Sequence, residues 1–191
     1  MNPNYKIIIG KVSIKSVDDF LQVLRSLANK HTVTIQAMDA GLIACEEHII
    51  SAVKKAVRAI DKKNSITSDL GLEILLYAAG KRQIERALAM GVKEGERRIV
   101  IVVVDHDVGL GSETQKDLEV VAKEVKLRTE MDEESIQDWK RNCELELDKN
   151  ADRRNRLKHF FGITDEELKA VGEKKLRKLV LERVALLDLL K

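Results

Sequence analysis

Apolar residues alternate near the start of the chain and then recur every third or fourth position, so strands come first and helices follow. Tyr5–Ile9 and Val12–Ile14 are rich in β-branched residues and flank Gly10, which reads as strand, bend, strand. Ser16 is a good N-cap, with Asp19 three positions on, so a helix is expected from Val17 to about Asn29 with Phe20, Val23, Leu24 and Leu27 inward. Thr32–Met38 reads as a strand, and Leu42–Cys45 as another after the turn Asp39–Ala40–Gly41. Glu46–Ile60 places Ile49, Ala52, Val53, Ala56, Val57 and Ile60 on one helical face. Ser68 or Asp69 caps a strongly apolar helix that stops at Gly80, and a second helix is expected from Lys81 to Met90, closed by Gly91.

Ile99–Val104 is an unbroken apolar run dominated by β-branched residues, as suits a central strand covered on both faces. From Ser112 to Lys158 charge takes over. Asp117–Lys126 reads as a helix on Leu118, Val121, Ala122 and Val125, Trp139 falls in a second short one, and the stretch as a whole reads as a solvated insertion. Thr164–Asp165–Glu166–Glu167 is a capping box for a short helix ending at Gly172. The last helix, Lys174–Leu190, carries apolar residues on three faces: Leu176, Val180, Val184 and Leu187; Leu179, Leu186 and Leu190; and Leu181, Ala185 and Leu189. Either it threads its own core or one face docks on a partner. The expectation is an α+β fold, a mostly antiparallel central sheet packed with helices in a single domain over residues 1–191, with a charged helical insertion at about 113–158.

At 191 residues, 44% apolar and 35% charged, the chain can bury a sizeable core beneath an ionic surface. The net charge of +2, from 34 basic and 32 acidic residues, leaves a nucleic-acid partner to be decided by a local patch. Aromatics at 3% argue against a stacking platform for single strands. Cys45 and Cys143 lie far apart without a disulfide framework, and no segment resembles a signal peptide or a membrane span, so a cytoplasmic location is expected.

Motifs of small-molecule catalysis are missing: there is no Walker loop, HExxH or GxSxG, and Gly109–Leu110–Gly111 lacks a third glycine. Asp105–His106–Asp107, at the exit of the strongest strand, is the best acid–base candidate, but three polar residues there more often form a solvated turn. His31, His48 and His159 lack metal spacing, and Glu46–Glu47 beside Cys45 would raise its thiol pKa. No catalysis, metal or cofactor is expected. What stands out instead is Lys81–Arg82 at the start of an expected helix, where the macrodipole disfavours cations. Either an anion such as phosphate fills the gap, or Lys81 pairs with Glu85 and Arg82 with another acid. Arg86, Lys93, Arg97 and Arg98 follow closely, mixed with Glu85, Glu94 and Glu96.

At these residues the sequence resembles the small accessory subunit of the KEOPS complex, the family that includes the PRPK-binding protein, and in particular its archaeal-like members. The likeness rests on GLEILLYAAGKRQIERALAMGVKEG (Gly71–Gly95) with the strand Ile99–Val104, and on FFGITDEELKAVGEKKLRKLVLERVALLDLL (Phe160–Leu190). Glu113–Lys158 departs from the compact pattern of the family. The resemblance implies a non-enzymatic subunit that binds the kinase-like ATPase subunit of KEOPS within the larger assembly. It further implies recruitment of tRNA through the single-stranded 3′ CCA end, in support of threonylcarbamoyladenosine modification. On that resemblance Lys81, Arg82, Gln83, Ile84 and Arg86 are assigned to the tRNA, and Leu181, Ala185 and Leu189 to the kinase. The alternative it leaves is a protein-only regulator of the kinase that makes no RNA contact.

Overall fold

The computed structural model describes residues 3–106 and 116–189. Its organising element is β3 (Gly95–Asp105), in which every residue from Ile99 to Val104 is fully buried. It pairs antiparallel along its whole length with β1 (Asn4–Ile14), from Asn4 opposite Asp105 to Ile14 opposite Gly95. On its other side it pairs antiparallel with β2 (Thr34–Asp39), and the two-residue β4 (Asp132–Glu133) completes the sheet against β1 in the order β2-β3-β1-β4.

Alternation along β3 divides the core between two helical layers. Ile99, Ile101 and Val103, with Ile8, Val12 and Ile14, meet Leu24 and Leu27 of α1 (Val17–His31) and Val121 and Val125 of α5 (Leu118–Arg128). Val100, Val102 and Val104, with Ile7, Ile9 and Met38, face the larger layer. That layer holds α2 (Glu46–Asp61), α3 (Leu70–Ala79), the short α4 (Ile84–Leu88), α6 (Ile136–Lys149), α7 (Ala151–Phe161), α8 (Asp165–Val171) and α9 (Leu176–Leu186). The expected α+β domain with an antiparallel sheet is therefore the observed one. Several caps act as the sequence suggests: Ser16 accepts from the Asp19 N–H, Asp69 from the Leu72 N–H and Thr164 from the Glu167 N–H.

Local expectations fail where a residue type serves a purpose other than the usual one. Gly10 does not bend the strand, since β1 runs through it unbroken. A Cβ at Gly10 would lie 2.3 Å from the Asp132 carbonyl oxygen, so glycine is there to let β4 approach. Leu42–Cys45 is not a strand. Asp39 accepts the Gly41 N–H at 2.8 Å and winds Ala40–Leu42 into a 3-10 turn, and the Ile43 carbonyl is then taken by the Arg153 guanidinium at 2.7 Å. The helix expected from Lys81 to Met90 shrinks to α4, five residues long.

The largest correction concerns the charged middle. It is helical, but it is not a solvated appendage: Trp139, Cys143, Leu147 and Leu157 are buried in the same core as α2 and α3. The Arg153 side chain is buried with them, its guanidinium spread over the Ile43 and Cys143 carbonyls and the Cys143 sulfur. At the other end Asp188, just beyond α9, ties the C-terminal segment to the body. It accepts from Lys55 and Arg58 of α2 and from the Tyr77 hydroxyl of α3. Burial would raise the Asp188 pKa, but those hydrogen bonds and the charges of Lys55 and Arg58 hold it below the ordinary carboxylate value.

Candidate functional site

The site grows out of the C-terminal end of α3, a helix of nine apolar or small residues and one acid, nearly all of it buried. Two buried polar groups fix this helix. Glu73 turns back and accepts the N–H groups of Ile66 and Thr67 at 3.1 and 3.2 Å, holding the preceding loop against it. His48 of α2 donates from Nε2 to the Ala78 carbonyl at 2.7 Å and accepts the Ala44 N–H at Nδ1. A carbonyl can only accept and an N–H can only donate, so the ring is neutral with its proton on Nε2. Burial lowers its pKa to about 4.

Gly80 then closes α3 in the left-handed region at φ 60°, its N–H donating to Tyr77 and that of Lys81 to Leu76. A Cβ at Gly80 would lie 3.2 Å from the Arg183 backbone, so α9 passes directly behind this corner. Lys81 and Arg82 therefore follow the C-terminal end of a long helix instead of opening a new one. Cations are favoured there, and the five-residue α4 has no dipole large enough to repel them. The argument that an anion must relieve helix repulsion falls.

The pairing argument falls too. Among the described residues no carboxylate pairs with Lys81, Arg82 or Arg86, and the expected Lys81–Glu85 bridge is not made. The Lys81 ammonium stands 6.0 Å over the Phe160 ring, a cation–π contact. Burial, then the charges of Arg86 and Arg183, lowers its pKa, so cations converge on it from two elements. Arg183 is itself neutralised, one guanidinium nitrogen, Nη2, donating to both Glu167 carboxylate oxygens at 2.6 and 2.8 Å. Arg82, Gln83, Ile84, Glu85 and Arg86 line an open hollow of about 550 Å³ with Ile66 as a further wall. Gln83 stands at the N-cap of α4 without making a cap bond, and Ile84 is 40% exposed instead of buried in the core. The backbone beneath is anchored, since Ala87 and Met90 are buried and the Met90 carbonyl accepts the Asp39 N–H at 2.9 Å. Donors and an apolar side chain thus stand free on a fixed frame.

Sequence comparison bears on this arrangement directly. The family described as "Kinase binding protein CGI-121" matches residues 14–188, which takes in α3, the loop after it, the charged middle and α9. The chain belongs to the CGI-121 family of kinase-binding proteins. It is the family of the small KEOPS subunit. A search of curated proteins found no match.

In this CGI-121 chain α9 buries Leu176, Leu179, Val180 and Val184, and Leu187 just beyond it, which answers which faces are internal. Of the three residues the resemblance assigns to the kinase, Leu181 is half-buried, Ala185 is exposed and Leu189, in the 3-10 turn after α9, is 79% exposed. The acid–base candidates disperse. Asp105 is buried and accepts the Lys116 N–H at 3.0 Å, so it is no solvated turn, His106 faces Asp61 at 3.0 Å, and Asp107 lies outside the described residues, as does Gly109–Gly111. The Cys45 thiol is pushed up to about 12, chiefly by burial, with Glu47 adding to it. Among the described residues there is no group of three or more His, Cys, Asp or Glu that could hold a metal, and no helix is long and apolar enough to cross a membrane.

Sequence reasoning missed the roles of His48, Glu73 and Asp188, which fix α3 beneath the site, and of Trp139 and Arg153, which are buried in the core of the charged middle. A usable signal existed for one: Ile136, Trp139, Cys143 and Leu147 recur at helical spacing inside the charged stretch.

Proposed function

We propose that this chain is a non-catalytic subunit of a cytoplasmic KEOPS assembly that binds the kinase-like ATPase subunit and recruits tRNA by its 3′ CCA end, in support of threonylcarbamoyladenosine modification. The observation that carries the RNA half is that Arg82 and Arg86, which line a hollow of about 550 Å³, and Lys81 just before them lack carboxylate partners among the described residues. Unpaired guanidinium groups beside an exposed apolar side chain suit a single-stranded end. The arginines take phosphates, Ile84 supports an unstacked base, and Gln83 meets a base edge with its free amide. Membership in a kinase-binding family supports the other half. The kinase contact is assigned to Leu181, Ala185 and Leu189, whose helix α9 backs onto Gly80 at the same corner, so the two partners would meet adjacent surfaces.

The second reading is a kinase regulator that never touches RNA, and the exposed Ala185 and Leu189 favour it as much as the first. A gel shift with intact tRNA and with a transcript lacking the 3′ CCA, at two salt concentrations, separates the two. Loss of binding with the CCA supports recruitment. Equal binding, or none, leaves the protein-only reading.

A further inference from the structure

The Lys81 ammonium sits on a long flexible stem, and no carboxylate among the described residues holds it. The charges of Arg86 on α4 and Arg183 on α9 press on it from two elements. A lysine so placed would swing away from its neighbours unless another group kept it there. The group beneath it is the Phe160 ring, 6.0 Å from the ammonium to the ring centroid and half-buried against the core.

Phe160 is itself braced. It closes the last turn of α7 together with Phe161, and Gly162 ends that helix immediately afterwards. The two rings pack edge to face, with centroids 5.0 Å apart and planes inclined at 74°. Phe161 is buried and meets the His48 ring in the same manner, at 5.6 Å and 68°. His48 in turn donates to the Ala78 carbonyl at 2.7 Å, one turn before Lys81. These contacts close a circuit from the end of α3, through His48, Phe161 and Phe160, to the side chain that follows α3. α7 is fixed within it, because Leu157 is fully buried one turn earlier and the Arg153 guanidinium holds the Ile43 carbonyl at 2.7 Å.

A ring does here what an acid could not. Glu167 shows the alternative on the neighbouring cation, since it fixes Arg183 and cancels its charge in the same contact. An aromatic face attracts a cation from one side only and carries no net charge of its own. The ammonium keeps its full charge, and its N–H donors remain available to an anion on the other side. Phe160 thus holds Lys81 near Arg86 without neutralising it.

We propose that Phe160 is a positioning residue for the RNA grip: its ring holds the Lys81 ammonium beside Arg82 and Arg86, and through Phe161 and His48 ties it to the helix end it follows. This rests on the reading of Lys81 as an RNA contact. It also gives α7, which starts inside the charged middle, a part in the site.

The test uses the full-length protein carrying ¹³C-labelled lysine, with a tRNA transcript ending in CCA as the probe. The Lys81 ε-methylene resonance is assigned by its loss in Lys81→Gln. The ring current should shift it upfield in the wild type and in Phe160→Tyr, and it should return to the range of the other lysines in Phe160→Leu. Affinity for tRNA should fall about threefold in Phe160→Leu, the worth of an exposed cation–π contact, and stay at the wild-type level in Phe160→Tyr. In a Lys81→Gln background Phe160→Leu should cost nothing further, whereas a purely structural role would cost the same in both backgrounds. The proposal is overturned if the wild-type resonance is undisplaced or indifferent to Phe160→Leu, or if Phe160→Leu weakens tRNA binding equally in the two backgrounds. A displaced resonance in a wild type that binds no tRNA would uphold the hold of Phe160 on Lys81 and overturn instead the RNA reading that it serves.

Discussion

His48 gives the sharpest quantitative handle on the frame that carries the cationic loop. Its ring is fully buried, bridges the Ala44 N–H to the Ala78 carbonyl, and is held down from the ordinary 6.5 to about 4 by burial. The unfolded chain therefore binds a proton that the folded chain refuses between those two values. Stability is full above pH 6.5, falls as pH drops through the window, and levels off below about pH 4. The whole gap corresponds to roughly 3 kcal/mol, of which about 1.3 kcal/mol is already lost on going from pH 7.5 to pH 5.5. Urea unfolding followed by the fluorescence of Trp139, the one tryptophan and fully buried, measures this directly. Carboxylates and other histidines titrate over the same range, so the informative quantity is the wild-type stability minus that of His48→Gln, which cannot gain the proton. That difference should shrink by about 1.3 kcal/mol between the two pH values. A difference that stays flat, or a His48 ring resonance titrating with a midpoint above pH 6, would refute the reasoning.

Other parts of the account make separate claims. Trp139→Ala should cost about 3–5 kcal/mol in urea unfolding, a core-sized penalty, whereas an appendage would give a few tenths. Gly10→Ala should displace β4, because its Cβ would meet the Asp132 carbonyl at 2.3 Å, and faster hydrogen exchange at Asp132 and Glu133 would register it. Asp188→Ala leaves Lys55 and the Tyr77 hydroxyl without their shared acceptor. It should cost about 1–3 kcal/mol and raise the protease sensitivity of the C-terminal turn ahead of global unfolding.

Legibility in the sequence followed the reach of the forces involved. Local signals were enough for α1, α3 and α8, whose caps at Ser16, Asp69 and Thr164 act on neighbouring N–H groups. The run Ile99–Val104 announced a strand covered on both sides, and it is that. Gly10 was misread because its reason for being glycine lies in β4, far along the chain. The charged middle was misread because its surface charges outnumber the scattered apolar positions, Trp139, Cys143 and Leu147 among them, that face the core. At the site, Lys81, Arg82 and Arg86 stood out in the sequence by their charge, but the helix-start reason for noticing Lys81 and Arg82 was mistaken. Gly80 sets the cations at the end of one helix instead of the start of the next, and their lack of carboxylate partners among the described residues became visible only in three dimensions. Side chains that act through long-range contacts, such as Arg153 on the Ile43 carbonyl, leave no trace in local spacing.

The central claim is that the loop after α3 grips RNA while α9 serves the kinase. The direct test is a titration of labelled tRNA with the wild type and with Lys81→Glu/Arg82→Glu, run beside a binding assay with the kinase subunit. For three phosphate contacts on a single strand, the logarithm of wild-type affinity should fall against the logarithm of salt with a slope of about −2. The double variant should lose at least about tenfold in RNA affinity, and most of that slope, with its unfolding midpoint and kinase binding unchanged. RNA affinity that survives the double charge reversal, with the same salt dependence, would contradict the account.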